Sequence, residues 1–411
     1  MAKPTPQIID CRSCGSTNLS TVWNLSNSPY GDFYKPTEEE AINVKFETLS
    51  LGFCTDCKML QLLEITDLTA TYDDYLYRSS ITNALSSYYE QMAIRLISEY
   101  SLEPQELIVD IGSNDGTFLS NFLSKGFKVV GVEPTRSNAG TSELNGIYTI
   151  NEYFEGHTAN RILKEYGYPR LISMNYTLAN LPNLLSFFAN VERLMNSNTI
   201  LSVITGYHPD QYAVNMFEYI NHDHLTYLTV ESLGNLCKVF NLKIIDVNRS
   251  EHKGGSIHFI ISKETATFKT QSSVWQLLQR EIWLSANTAQ FTMNLDLRIK
   301  EINVELIKML NSINYNYIYG IGASISVTYL CNQFSLNDRI VKLFDDDTNK
   351  IGRFAPGSGK QVEPLIDIPR SKDSIALILA WQHSEKLIQR LHDVGYLGRI
   401  LTPLPLPKIL S

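Results

Sequence analysis

The chain has 411 residues, with 35 Lys and Arg against 43 Asp and Glu for a formal charge of −8, and 44% of it is hydrophobic while 19% is charged. That supplies apolar material for about two to four packed domains and excludes a disordered chain. The acidic balance argues against gripping nucleic-acid phosphates, so no nucleic-acid partner is expected. No apolar run approaches the roughly 18–20 residues of a membrane helix. The strongest, Ile375 to Trp381, reads as a buried strand, and Met1 to Gln7 carry no apolar leader. The expectation is a cytoplasmic enzyme, favoured as a monomer, with no membrane partner.

Four of the six cysteines fall within the first 57 residues, as Cys11-Arg-Ser-Cys14 and Cys54-Thr-Asp-Cys57. Two Cys-x-x-Cys knuckles separated by a loop can place four thiolates around one point, the donor set of tetrahedral Zn²⁺. Gly15 follows the first knuckle, where a tight turn lets backbone N–H groups point at sulfur. With four protein ligands the ion is structural; a redox dithiol is the competing reading. Cys237 and Cys331 stand in apolar surroundings and read as core. A tyrosine cluster, Tyr72-Asp-Asp-Tyr75-Leu-Tyr77-Arg78-Ser79, then precedes a predicted helix over Ala84 to Ser98. Packing and the lining of a polar pocket are both open for it.

The central signal is Leu107-Ile-Val-Asp110-Ile-Gly112-Ser-Asn114-Asp115-Gly116-Thr117. A β-branched run ends in an acid, a glycine-containing turn follows, and a helix begins near Thr117, the opening of a doubly wound α/β domain. A second strand, Lys128 to Val132, ends at Glu133, where an acid can hold a ribose diol. The turn is not Gly-x-Gly-x-x-Gly. Its acid repels a pyrophosphate and suits the ammonium of an amino-acid tail, so S-adenosylmethionine is favoured over a dinucleotide. A strand over Pro169 to Met174 leads to Asn175, which either meets that ligand or caps the next helix.

Two of the eight histidines lie in Asn221-His222-Asp223-His224. Imidazole is the natural general base near neutral pH, and an adjacent carboxylate can fix its tautomer; a metal pair or a hydrogen-bonded turn is the alternative. In an extended segment His222 and His224 point the same way. Lys253-Gly254-Gly255-Ser256 reads as a tight bend that brings backbone toward a ligand or simply closes a hairpin. Ser273 to Leu310 is a long amphipathic stretch, interrupted at Ser285 to Gln290. Tyr317 to Ser324 forms another strand-to-helix glycine turn, and Arg339 to Phe344 runs into Asp345, Asp346 and Asp347. Alone, this last pattern reads as a site for NAD and makes an oxidoreductase the second function class. The tail Thr402 to Pro407 is Pro-rich and is expected to extend over the surface.

In order and spacing, the paired cysteine knuckles, the Gly-Ser-Asn-Asp-Gly-Thr turn, the histidine–acid–histidine cluster, the Gly-Gly-Ser bend, and the segments Asp345 to Arg353 and Leu377 to Trp381 resemble the nucleotide-sugar C-methyltransferases that build branched deoxysugars. The resemblance covers essentially the whole chain. It implies an α/β protein in three parts: a zinc-binding lobe (1–68), a class I, Rossmann-like S-adenosylmethionine methyltransferase core (69–264) and a C-terminal Rossmann-like domain (265–411). It also implies a nucleotide-linked 4-keto-deoxysugar as substrate, with a base removing the proton beside the ketone before methyl transfer. Carried over by position, His224 is the base, Asp223 its carboxylate partner, Asn221 a neighbour in the reaction centre and Tyr77 a phenol facing the sugar. The donor would be held by Asp110, Gly112, Asn114, Asp115, Glu133 and Asn175. The nucleotide or diphosphate would lie at Gly322, Ala323, Ser324 and Asp346, and the zinc on Cys11, Cys14, Cys54 and Cys57. Five positions depart from the pattern: Asn221 replaces a tyrosine, Asp223 a glutamate, Asn180 a histidine, and Ser326-Val327 a Lys-Gly pair. Lys350 and Arg353 are the cations that can compensate for the last. These departures motivate a third class, a relative with altered or lost methyl transfer acting on another nucleotide-linked substrate.

Overall fold

The computed structural model describes residues 9–65, 80 and 83–410. Its largest sheet has seven strands: β4 (Leu107–Ile111), β5 (Lys128–Val132), β6 (Thr149–Ile150), β7 (Leu171–Asn175), β8 (Ile200–Gly206), β10 (Leu242–Ser250) and β11 (Ser256–Lys263), in spatial order β10-β11-β8-β7-β4-β5-β6. Strands β4 to β8 run parallel, and β11 is antiparallel to β8. Every residue of β4 and β8 is buried. Helices cover both faces of the sheet, which is why these strands read as continuous apolar runs rather than as alternation. Parallel order with a reversed terminal hairpin is the class I methyltransferase arrangement expected from the sequence. The order reverses between β4 and β7, so a crevice opens at the carboxyl ends of those strands.

The first sheet contains β1 (Leu19–Ser28), β2 (Glu47–Cys54) and β3 (Leu60–Leu62), and it recruits β9 (Thr226–Tyr227) from a point far along the chain. Leu60 pairs with Tyr227 and Gln61 with Thr226. The N-terminal lobe is thus built in part from the segment immediately after the histidine cluster, a crossing that the expected boundary at residue 68 does not include.

The third sheet is β14-β13-β12-β15-β16-β17, formed by β12 (Tyr317–Ile321), β13 (Ile340–Asp345), β14 (Val362–Pro364), β15 (Ser374–Ile378), β16 (Arg399–Thr402) and β17 (Lys408–Ile409). The amphipathic stretch before it is two helices, Ser272–Leu284 and Ala289–Ser312. Ser285 ends the first in a left-handed cap, and Thr288 starts the second by accepting from the Phe291 N–H. They serve different layers. Val274 and Leu277 pack into the core of the seven-stranded sheet, beyond the expected division at residue 264. Leu295, Ile299, Ile302 and Leu306 join Trp23, Leu51 and Phe334 in a core shared by the first and third sheets. The tail also differs from expectation. β17 folds back antiparallel on β16, and Leu404 is fully buried while Leu406 is exposed. Burial of Leu404 explains why the segment turns inward. Among the described residues, no helix is long and apolar enough to cross a membrane.

Candidate active site

The four N-terminal cysteines converge. Cys11 and Cys57 Sγ are 3.4 Å apart, Cys14 and Cys54 Sγ 3.7 Å, and all four lie within 4.8 Å of one another. Four sulfurs at about 2.3 Å from a tetrahedral Zn²⁺ are separated by just under 4 Å, so the donor set and its spacing fit that ion. Burial pushes the Cys14 thiol up to about 11, and crowding by Cys11 together with burial pushes Cys57 higher. A divalent cation is what lets such thiols ionise together. Between the knuckle cysteines, Arg12 is buried and sends its guanidinium to the carbonyls of Leu225 and Glu64, both at 3.4 Å. Burial lowers Arg12 to about 10. The knuckle is therefore wired to the residue that follows His224.

A cavity of about 1070 Å³ opens over the carboxyl ends of β4, β5 and β7. Of the six residues expected to hold a donor, Asp110, Gly112, Asn114, Glu133 and Asn175 line it. Gly112 has φ +74°, and a Cβ there would lie 2.5 Å from Thr177 Oγ1, so a side chain is excluded where the turn meets the crevice. Asp110 accepts hydrogen bonds from Ser173 Oγ at 2.6 Å and Asn175 Nδ2 at 3.2 Å. Burial nevertheless pushes its carboxyl up to about 7, with the charge of Glu133 adding to the rise. Glu133 accepts from the N–H groups of Asn114 (2.9 Å) and Thr135 (2.8 Å), one on each oxygen, which fixes its carboxylate on the rim with lone pairs to spare. Asn175 Oδ1 and Asn180 Oδ1 are buried and have no partner among the described residues. A cradle of carboxylates and free acceptors suits a ligand that brings ammonium, sulfonium and ribose hydroxyls, and S-adenosylmethionine fits it.

Asp115 is the exception. Its carboxylate takes the Thr117 hydroxyl (2.6 Å), the Thr117 N–H (3.2 Å) and the Ser80 N–H (3.0 Å), and it is not on the cavity wall. The acid expected to meet the ligand's ammonium closes the turn instead, and Asp110 faces the cavity. Nor does Asn175 cap the next helical turn, whose N-cap is Thr177.

The histidine cluster is a tight turn closed by the His224 N–H donating to Asn221 O at 3.1 Å. Its side chains diverge, so the same-face expectation for an extended segment does not hold. His222 Nδ1 meets the Tyr329 hydroxyl at 2.9 Å. Asp223 Oδ2 accepts from the Tyr30 hydroxyl at 2.8 Å, not from His224, and burial pushes Asp223 up to about 6. His224 Nδ1 lies 2.7 Å from the Tyr219 carbonyl, and the ring stacks on Tyr219 with centroids 4.0 Å apart. A carbonyl only accepts, so Nδ1 carries the proton and Nε2 keeps its lone pair. Burial, with a smaller contribution from the charge of Lys253, pushes His224 down to about 4 against the raising effect of the Tyr219 carbonyl. Asn221 serves the turn, with Oδ1 on the Asp223 N–H (3.0 Å) and Nδ2 3.2 Å from His224 Nδ1. The next residue, Leu225, lines the cavity and donates its N–H to Ala179 O at 2.7 Å. Tyr77 lies outside the described residues. Two wall residues, Tyr176 and Lys253, were not anticipated: no motif marks Tyr176, and only the double glycine beside Lys253 signals a shaped bend.

The glycine turn of the third sheet is occupied by the chain itself. Asp345 accepts from the Ala323 N–H at 2.6 Å and from the Asp347 N–H at 2.9 Å, placing a carboxylate on the donor a diphosphate would use. Gly31 docks against the helix that starts there, its N–H on the Tyr329 hydroxyl at 3.2 Å and its carbonyl accepting from Thr328 at 3.0 Å. Lys350 is engaged by Asp32 (2.8 Å) and Ala323 O (2.9 Å), and Arg353 reaches the Tyr34 carbonyl at 3.3 Å. Asp346 points to Arg390 on the surface, at 2.9 Å. Gly322, Ala323, Ser324 and Asp346 are therefore not brought to the cavity, and an anion is opposed at that turn.

Three family models match in succession: a zinc binding domain over residues 11–72, a methyltransferase domain over 85–247 and a C-methyltransferase C-terminal domain over 251–405. Among curated proteins the chain is similar to C-methyltransferase NovU of Streptomyces niveus, 23% identical over 413 residues that cover 98% of this chain and 97% of the relative. Solved structures with partial likeness include the plantazolicin methyltransferase BamL (14% identity, 48% of this chain, 90% of that one, TM-score 0.36). Another is an S-adenosylmethionine-dependent methyltransferase from Clostridium acetobutylicum (12% identity, 48% and 97%, TM-score 0.35).

Proposed function

The chain belongs to the S-adenosylmethionine-dependent C-methyltransferases with an N-terminal zinc-binding domain, and we propose that its acceptor is a carbon beside the ketone of a nucleotide-linked 4-keto-deoxysugar. Carbon is a poor nucleophile until a neighbouring carbonyl lets a base remove its proton. The observation that carries this reading is the locked tautomer of His224, the residue before the cavity-lining Leu225: the Tyr219 carbonyl holds the Nδ1 proton, so Nε2 keeps its lone pair. Asp223 is not its partner in this arrangement; it pairs with Tyr30 and supports the turn from behind.

Asp110, Gly112, Asn114, Glu133 and Asn175 would hold the donor, which when bound supplies an electrophilic methyl group on a sulfonium. Glu133 positions ribose hydroxyls, and Asp110 with the free Asn175 oxygen receives the amino-acid end. Leu225, Phe118 and Phe154 supply apolar wall that excludes water from a basic carbon centre. Cys11, Cys14, Cys54 and Cys57 would hold zinc outside the reaction. The division into parts at 1–68, 69–264 and 265–411 serves as a functional outline, with β9 and the helix Ser272–Leu284 crossing it.

The test is incubation of the purified protein with ¹³C-methyl-labelled S-adenosylmethionine and thymidine diphosphate-linked 4-keto-6-deoxyhexoses. A new carbon-bound methyl resonance next to the carbonyl is expected. Label appearing on oxygen or nitrogen, or binding of both ligands without transfer, would refute the reading and favour a relative that has lost the reaction.

A further inference from the structure

The zinc-binding lobe reaches the cavity at two places that the donor-holding strands do not supply. Ile65, just past β3, and Leu225, just before β9, both line it, whereas the groups assigned to the donor come from the ends of β4, β5 and β7. One side chain joins these two places. Arg12 Nη1 donates to the Leu225 carbonyl and Nη2 to the Glu64 carbonyl, each at 3.4 Å. A single planar guanidinium therefore bridges the backbone of Leu225 and the backbone that leads into Ile65.

Both ends of the bridge are braced. Leu225 O also accepts from the Leu62 N–H at 3.0 Å, and the Leu225 N–H donates to Ala179 O at 2.7 Å, one residue before the cavity-lining Asn180. Glu64 Oε2 accepts from the Ser50 N–H of β2 at 2.8 Å. Behind the bridge stands the cysteine knuckle, because Arg12 lies between Cys11 and Cys14. Gly15 closes the knuckle by donating its N–H to Cys11 O at 2.8 Å. The Arg12 N–H donates to Gln61 Oε1 at 2.9 Å, and Gln61 is paired with Thr226 of β9. Arg12 is only 7% exposed. A buried guanidinium is costly unless its donors are engaged, so its place depends on the loop that carries it, and zinc on the four thiolates would fix that loop.

We propose that Arg12 is a positioning residue, through which the zinc knuckle sets the spacing of Ile65 and Leu225 and so shapes the part of the cavity left for the acceptor. The inference rests on the methyltransferase cavity, and the acceptor's identity enters one arm of its test only. Two consequences separate it from a general role in stability. Donor binding depends on β4, β5 and β7 and is insensitive to Arg12. Acceptor binding needs Leu225 and Ile65 at their present separation and is sensitive to it.

Arg12→Met, which keeps the length of the side chain and removes the fork, tests this in the full-length, zinc-loaded protein. Amide hydrogen exchange at Leu225 should quicken by about tenfold or more, with the amides of β4 unchanged. Zinc should remain at about one ion per chain, and calorimetric affinity for S-adenosylhomocysteine should stay within about threefold. KM for a thymidine diphosphate-linked 4-keto-6-deoxyhexose should rise by about tenfold, with kcat changed less than about threefold. Unaltered exchange at Leu225, an unaltered KM, or a loss of S-adenosylhomocysteine affinity as large as the rise in KM overturns the role of Arg12. Should Arg12→Met fail to hold zinc, Arg12→Lys decides. Its single ammonium keeps the buried charge but cannot bridge two carbonyls, so zinc and donor affinity should persist while KM still rises, and a KM equal to that of the unaltered protein overturns the inference. Absence of methyl transfer by the unaltered protein overturns the keto-acceptor reading instead, and the exchange rate at Leu225 then decides the role of Arg12 without any acceptor.

Discussion

Replacing His224 by glutamine should reduce kcat by about 100- to 10,000-fold, the range for losing a general base, or about 3 to 5 kcal/mol of transition-state stabilisation. The structure predicts the pH signature as well. Burial lowers His224 to about 4, so at pH 7 only about one imidazole in a thousand is protonated. A base works unprotonated, so activity should be lost only as pH falls through about 4. Initial rates of methyl transfer at saturating substrate, measured across this range, should give a plateau above that acidic limb. His224→Gln should lose the acidic limb together with the rate. His222→Ala should keep the limb, because His222 Nδ1 is engaged by the Tyr329 hydroxyl. Equal losses in the two variants, or an acidic limb that survives in His224→Gln, would refute the assignment.

Cys54→Ser should take bound zinc from about one ion per chain to near none, since structural zinc depends on all four thiolates. Because β9 pairs with β3, hydrogen exchange at Thr226 and Tyr227 should speed up in the same variant; full zinc retention would show that these thiols are not the ligands. Gly112→Ala places a methyl 2.5 Å from Thr177 Oγ1 at φ +74° and should weaken S-adenosylhomocysteine binding by about tenfold or more. Calorimetric affinity equal to that of the unaltered protein would contradict the tight-turn account. Glu218, fully buried against Trp381 and Gln382, is pushed by burial from 4.5 up to about 7. A raised folded-state pKa favours the folded protein fully below about 4.5, and that contribution disappears as pH rises through about 7. Glu218→Gln should therefore flatten the decline of Tm between about pH 5 and pH 8, and a parallel decline in both proteins would refute the buried charge.

What the chain order revealed is local chemistry. The cysteine knuckles, the β4 turn and its acid tips, and the break between the helices Ser272–Leu284 and Ala289–Ser312 all follow from short-range rules of ligand spacing, strand patterning and capping. What it concealed depends on long-range contacts. Asp223 sits beside His224 in sequence, yet a turn aims it at Tyr30, 193 positions away. Asp115 and Asp110 look equivalent in the motif, and only the Thr117 and Ser80 hydrogen bonds separate a structural acid from one facing the cavity. The third sheet's glycine turn reads as an anion site until Asp345 is seen on its N–H. Pairing of β9 with the zinc lobe has no sequence signature, because two residues are too few to carry a period.

Titration calorimetry of the full-length protein with S-adenosylhomocysteine, run beside an identical titration with NAD, bears most directly on the acidic crevice at the end of β4. The thioether nucleoside should bind at one site per chain, weakened when Glu133 is replaced by glutamine, while the dinucleotide produces no heat. Saturable heat from NAD with none from S-adenosylhomocysteine would contradict the account at its root.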